Sequence, residues 1–169
     1  MRFHWLAAGL AAVSVAAQAQ ETVWGIFDGE NGAGGAGVSA ADGSQLMIKC
    51  DKTGKGQVHA LLFSATRLVP PTTSFERRDV RLRFDADVPI EARWRYFNNT
   101  AMAVNQGNER SMSEFVTQLA SADKVEFRLD AREAPPVTLV FDVRGASDAI
   151  ALVYERCKDT SPVASAARG

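Results

Sequence analysis

Val80-Arg-Leu-Arg-Phe84, a turn over residues 85–89, and Ile90-Glu-Ala-Arg-Trp-Arg-Tyr96 decide the fold. Apolar and polar residues alternate through both runs. Successive side chains of a strand point to opposite faces, so each run reads as a half-buried strand. Val80, Leu82, Phe84, Ala92, Trp94 and Tyr96 face a core, while Arg81, Arg83, Glu91, Arg93 and Arg95 face outward. Joined by a short turn, the two strands form an antiparallel hairpin.

The same reading extends in both directions. Trp24-Gly-Ile-Phe27 is a first strand, followed by a glycine-rich loop over residues 28–37. That loop lacks the Lys-Ser/Thr ending of a phosphate-binding loop and no periodic helix follows it, which argues against nucleotide binding. Val38-Ser-Ala-Ala41 and Gln45-Leu-Met-Ile-Lys-Cys50 flank Asp42-Gly43, a hairpin turn of type I′ by its residues. Leu46, Ile48 and Cys50 share one face of that second strand. Val58-His-Ala-Leu-Leu-Phe63 is the next strand, and Pro70-Pro71 breaks the chain after it. Residues 98–110 are polar around a short apolar interruption, an irregular excursion over the surface. Ser111-Met-Ser-Glu114 has the form of a capping box, and Met112, Phe115, Val116 and Leu119 recur at helical spacing, so 112–121 is a short amphipathic helix.

Lys124-Val-Glu-Phe-Arg-Leu-Asp130 and Val137-Thr-Leu-Val-Phe-Asp-Val143 return to period two. After Gly145, Ser147 is the expected cap of a last helix, with Ile150, Val153, Tyr154 and Cys157 on its apolar face. The fold class is therefore α+β: a mainly antiparallel β-sheet domain with two short helices. One disulfide closes it. Cys50 and Cys157 are the only cysteines; one points inward from a strand end and the other lies on the closing helix. Their separation is far from the Cys-x-x-Cys spacing of a redox pair, so they read as a structural staple.

The amino terminus places this domain outside the cytoplasm. Arg2 and His4 precede an apolar run from Leu6 to Ala17, and Ala17-Gln-Ala19 offers small residues at the −3 and −1 positions of a cleavage site. Residues 1–19 read as a signal peptide, because the run falls short of the ~20 apolar residues that span a bilayer. The domain is residues 20–157, and 158–169 form a small, polar tail expected to be disordered. Periplasm or full secretion follows, with no stable membrane insertion after cleavage. The whole chain carries 19 Lys and Arg against 20 Asp and Glu. So even a balance gives no strong field toward nucleic acid.

Composition also narrows the chemistry. With both cysteines committed and His59 the one histidine beyond the leader, the residues favour neither a zinc site nor any other cofactor. No nucleophile elbow accompanies His59, which reads as a strand histidine. Glu30, Asp79, Glu109 and Glu126 are ordinary surface carboxylates. The arginine face is the candidate binding site. If the hairpin pairs residues whose numbers total 174, Asp79 meets Arg95 and Arg83 meets Glu91. Arg81 then meets Arg93, leaving those two guanidiniums free to grip a carboxylate or phosphate. The ligand would be an envelope protein or an anionic cell-wall component.

The order of features resembles a known family. Leu46-Met-Ile-Lys-Cys50, the strand around Trp94, Phe115-x-x-x-Leu119, Phe141-Asp-Val-Arg-Gly145 and the helix ending at Cys157 are similar to the VasI-like (TagO-like) accessory proteins of type VI secretion. The chain departs from that pattern at Tyr96-Phe-Asn-Asn-Thr100 and at Ala146. The resemblance implies a periplasmic, disulfide-closed fold without catalytic residues, and hence a non-enzymatic binding or accessory protein. Two other classes stay open on the residues alone. One is a periplasmic hydrolase using dispersed carboxylates or His59. The other is a protein inhibitor presenting loop 28–37 or 98–110.

Overall fold

The computed structural model describes residues 24–29, 34–50, 58–68, 74–97, 100–102, 109–131 and 135–163. Residues 1–19, expected to be a signal peptide, lie outside them. Among the described residues nine strands form one antiparallel sheet: β1 (Gly25–Asp28), β2 (Gly34–Ser39), β3 (Gln45–Lys49), β4 (His59–Phe63), β5 (Glu76–Phe84), β6 (Ile90–Phe97), β7 (Thr100–Met102), β8 (Lys124–Leu129) and β9 (Val137–Asp142). Their order across the sheet is β1-β2-β3-β4-β7-β6-β5-β8-β9, and the sheet curls until β9 approaches β2. Helices α1 (Glu109–Ser121) and α2 (Ala146–Cys157) pack against each other. No helix among the described residues is long and apolar enough to cross a membrane.

The even-numbered residues of β5 and β6 form the inner face, as the alternation requires: Val80, Leu82, Phe84, Trp94 and Tyr96 are all buried. Phe127 on β8 stands among aromatic neighbours, with Trp94 at 5.6 Å, Phe141 at 5.9 Å and Phe115 of α1 at 6.3 Å between ring centroids. Edge-to-face pairs of this kind stabilise by roughly 0.5–1.5 kcal/mol each beyond the area they bury. Phe115, which also meets Trp94 edge-to-face at 6.0 Å, ties α1 to this cluster. The other helix is fixed covalently: Cys50, just past β3, is bonded to Cys157 at the end of α2, with an S–S distance of 2.00 Å.

Several local expectations are corrected. Much of the glycine-rich segment is strand β2 rather than loop. The Phe27 ring lies across Gly35, where a Cβ would stand 2.1 Å from the ring's Cζ atom. Glycine admits the ring and is retained in a strand despite its entropic cost. The Asp42-Gly43 turn is a three-residue loop, not type I′. Ala40 donates to the Ser44 carbonyl at 2.8 Å, Gly43 donates to Ala40, and Gly43 alone in the turn has positive φ, at 86°. Part of the polar excursion over 98–110 is β7, a short strand seated between β4 and β6 with Ala101 fully buried.

Both helix starts also differ. α1 begins at Glu109, so Ser111 falls within its first turn, and the Glu114 carboxylate takes Arg110 Nε at 3.0 Å instead of reaching back to a cap. α2 is preceded by Gly145 in a left-handed conformation, with no side-chain cap. Beyond α2 the expected tail starts with a placed segment, in which Val163 lies against the core. Residues 164–169 are outside the described region.

Candidate functional site

The outer positions of β5 are Arg77, Asp79, Arg81 and Arg83; those of β6 are Glu91, Arg93 and Arg95; those of β8 are Lys124, Glu126 and Arg128. Seven cations therefore share this face with three carboxylates, an excess of four positive charges on a chain whose overall charge is −1. Strand pairing produces the asymmetry, because it gathers alternate residues of three neighbouring strands onto one surface.

The register differs by two residues from the one expected. Asp79 lies opposite Arg93, Arg81 opposite Glu91, and Arg77 opposite Arg95. At the hairpin end Arg83 and Phe84 lie beyond the ladder with β6, while along its other edge β5 pairs Val80 to Phe84 with Leu129 to Val125 of β8. Asp85 follows with φ of 47°, and its carboxylate accepts the backbone N–H groups of Lys124 at 2.8 Å and Asp123 at 3.1 Å. Asp85 N–H in turn donates to the Lys124 carbonyl at 2.9 Å. This latch holds the hairpin tip to the junction between α1 and β8. It also lengthens the loop that the simpler register would have kept shorter.

The consequence is that Arg81 and Arg93 are each paired. Arg93 Nε meets Asp79 at 2.9 Å, Arg81 meets Glu91 at 3.3 Å, and Arg83 meets Glu126 at 2.7 Å. The side-chain hydrogen bond to Asp79, followed by charge attraction, raises the Arg93 pKa above its ordinary value. The Arg93 and Asp79 side chains are 67% and 60% exposed, so water screens the pair and it contributes little to stability. Exposed pairs of that kind can be exchanged for a partner's carboxylate at small cost. Arg83 is more constrained: its Nε is buried without a hydrogen-bond partner.

A second arrangement on the same face was missed from the sequence. Phe75 precedes β5, and its ring has the Arg95 guanidinium 4.2 Å and the Arg77 guanidinium 5.7 Å from its centroid. Phe97 lies 5.7 Å from Phe75, centroid to centroid. Phe75, Arg77, Asp79 and Arg81 continue the odd-numbered alternation, so the signal existed five residues earlier than the strand was expected to begin.

The remaining candidates do not converge. His59 begins β4, half-buried, opposite Lys49 of β3. Asp79 and Glu126 are bonded to guanidiniums, Glu30 lies outside the described residues, and Glu109 opens α1. Of the two proposed inhibitor loops, residues 34–37 belong to β2 and 100–102 to β7, while 30–33, 98–99 and 103–108 lie outside the described residues. Among the described residues no group of three or more potential metal ligands forms.

Inside the sheet, Tyr96 is fully buried and its hydroxyl has no hydrogen-bond partner. Burial first, and then the Asp130 charge, raise its pKa. Tyr154 on α2 is pushed up to about 12, again chiefly by burial, with a contribution from Asp159.

The fold and this face define a disulfide-closed α+β domain with one cation-rich sheet surface. No family model, curated protein or solved structure matches the chain.

Proposed function

We infer that this is an exported, non-enzymatic binding or accessory protein of the cell envelope that engages an anionic partner through the outer face of β5, β6 and β8. The observation that carries the reading is the cationic excess on that face. It combines guanidiniums held only by exposed ion pairs with two that lean on an aromatic ring. Guanidinium groups recognise carboxylate and phosphate through paired parallel hydrogen bonds, which gives such a surface both affinity and orientation.

Export rests on the leader-like first nineteen residues, and a long-range disulfide suits an oxidising compartment. The partner class is an envelope protein or an anionic cell-wall component. A relation to type VI secretion rests on the sequence resemblance alone.

The test is capture from a solubilised envelope fraction with the disulfide-bonded protein, beside the double variant Arg81→Glu, Arg93→Glu. The reading requires a partner that the wild type retains, that salt elutes and that the variant loses. Equal retention by both proteins would remove this face from the function. Recovery of secretion-apparatus components among the retained proteins would support the family's role.

A further inference from the structure

Arg81 stands at the centre of the outer face, and the strands on either side of β5 meet it differently. Across the β5–β6 ladder it lies opposite Glu91, but across the β5–β8 ladder it is in register with Arg128. Directly opposed like charges in an antiparallel pair repel. Arg128 is exposed and meets no carboxylate among the described residues.

The cations continue on both sides of this pair. Asp79 lies opposite Arg93, so Arg93 is diagonal to both Arg77 and Arg81. Glu126 lies opposite Arg83, so Arg83 is diagonal to both Arg128 and Lys124. Side chains directly opposite are about 5 Å apart at Cβ, and diagonal ones about 7–8 Å. Arg77, Arg93, Arg81, Arg128, Arg83 and Lys124 thus form one zigzag of neighbouring cations, running roughly 25–30 Å along β5.

We propose that this track binds a linear acidic polysaccharide of the envelope, one with a carboxylate on each repeating sugar. The proposal names the partner of the arginine face and rests on that reading. Length selects a polymer, because a single carboxylate reaches at most two of the six cations. The face's excess of four positive charges attracts a polyanion as a whole. The interleaved carboxylates select among polyanions. Asp79, Glu91 and Glu126 are acceptors, and a sugar chain brings hydroxyl donors to them beside its own acids. Polyphosphate chains bring none. Single-stranded nucleic acid is held by aromatic platforms within a cationic groove. From Arg93 to Lys124, however, every outward position of β5, β6 and β8 is charged. The exposed Arg81–Glu91 contact, at 3.3 Å, is screened by water and is readily exchanged for a ligand's carboxylate.

The experiment uses the purified, disulfide-bonded protein and fluorescently labelled galacturonate oligomers, with binding read by anisotropy. The probes are a decamer, a dimer and the methyl-esterified decamer, which keeps the hydroxyls and loses the charge. Polyphosphate and oligodeoxythymidine of matched charge serve as competitors. The decamer should bind, the dimer should bind about tenfold more weakly or worse, and the ester should not bind. Arg77→Glu with Arg128→Glu should weaken decamer binding by about tenfold or more, as should Arg81→Glu with Arg93→Glu. Arg110→Glu, on α1, should change nothing. Arg128→Gln with an unchanged unfolding midpoint should still weaken binding, which guards against a folding artefact.

Equal affinity for dimer and decamer, or decamer binding indifferent to both reversals, would overturn the inference. So would tighter binding of polyphosphate or oligodeoxythymidine, although the arginine face would then stand. If no polymer binds while the envelope partner is still lost on reversing Arg81 and Arg93, the face survives and the polysaccharide does not. If no polymer binds and capture ignores that reversal, both readings fall.

Discussion

Removing the Cys50–Cys157 bridge is expected to lower the unfolding free energy by about 4–5 kcal/mol. The bridge joins residues 107 positions apart. In the chain-entropy model, cross-linking a loop of about 100 residues is worth about 4.7 kcal/mol, and the value changes slowly with further length. Both cysteines are buried, at 1% and 0% exposure, so reduced thiols still fill the space and no cavity is created. Comparing oxidised protein with protein refolded in reductant therefore isolates the cross-link from packing, which a Cys→Ala pair would not.

Urea unfolding followed by the fluorescence of buried Trp24 and Trp94 gives both midpoint and slope. The slope should rise on reduction, because the uncrosslinked unfolded chain exposes more surface. Against a usual net stability of about 5–15 kcal/mol, the reduced protein should be marginal or unfolded at room temperature. A loss below about 1 kcal/mol would refute the reasoning, since it would mean the bridge constrains little of the unfolded chain.

Gly35→Ala should destabilise by about 1–3 kcal/mol through overpacking against Phe27, and Phe27→Ala in the same chain should recover part of that. Strictly additive losses in the double variant would show that the two residues do not touch. Asp85→Gly preserves the backbone conformation but removes the acceptor for Asp123 and Lys124 N–H, and should cost about 1 kcal/mol in the same urea assay. An unchanged midpoint would mean water replaces the latch. For Tyr154 and Tyr96 the folded pKa is raised above the ordinary value of 10. The stability each contributes is thus complete below pH 10 and is lost as pH rises, through about 12 for Tyr154, at about 1.4 kcal/mol per unit per group. Urea midpoints measured across that range by absorbance of tyrosinate should fall together with its appearance; tyrosinate formed well below pH 11 in folded protein would contradict the burial argument.

Much of the sheet was legible because Leu46, Ile48, Val80, Leu82, Val125, Phe127 and Leu129 keep strict alternation, and a buried face enforces it. The bridge was legible from where Cys50 and Cys157 fall in that pattern. Three features were hidden for physical reasons. β2 reads as loop because glycine carries no periodicity, and its need for glycine arises from Phe27, a residue outside the strand. β7 is too short to show a period, and its place between β4 and β6 is a tertiary choice. The hairpin register is accompanied by Asp85 bonding residues 38 and 39 positions away, which no local pattern contains. That register in turn decides the candidate site. It pairs Arg81 and Arg93 and sets Arg77 against Arg95.

Photo-cross-linking in cells tests the central claim most directly. Benzoylphenylalanine is placed singly at Phe97 or Thr138 on the outer face, and at Gln118 on α1. The account predicts a discrete adduct from the outer positions, lost when Arg81 and Arg93 are both changed to Glu, and none from Gln118. Adducts from the helix position alone, or outer-face adducts indifferent to those two arginines, would contradict it.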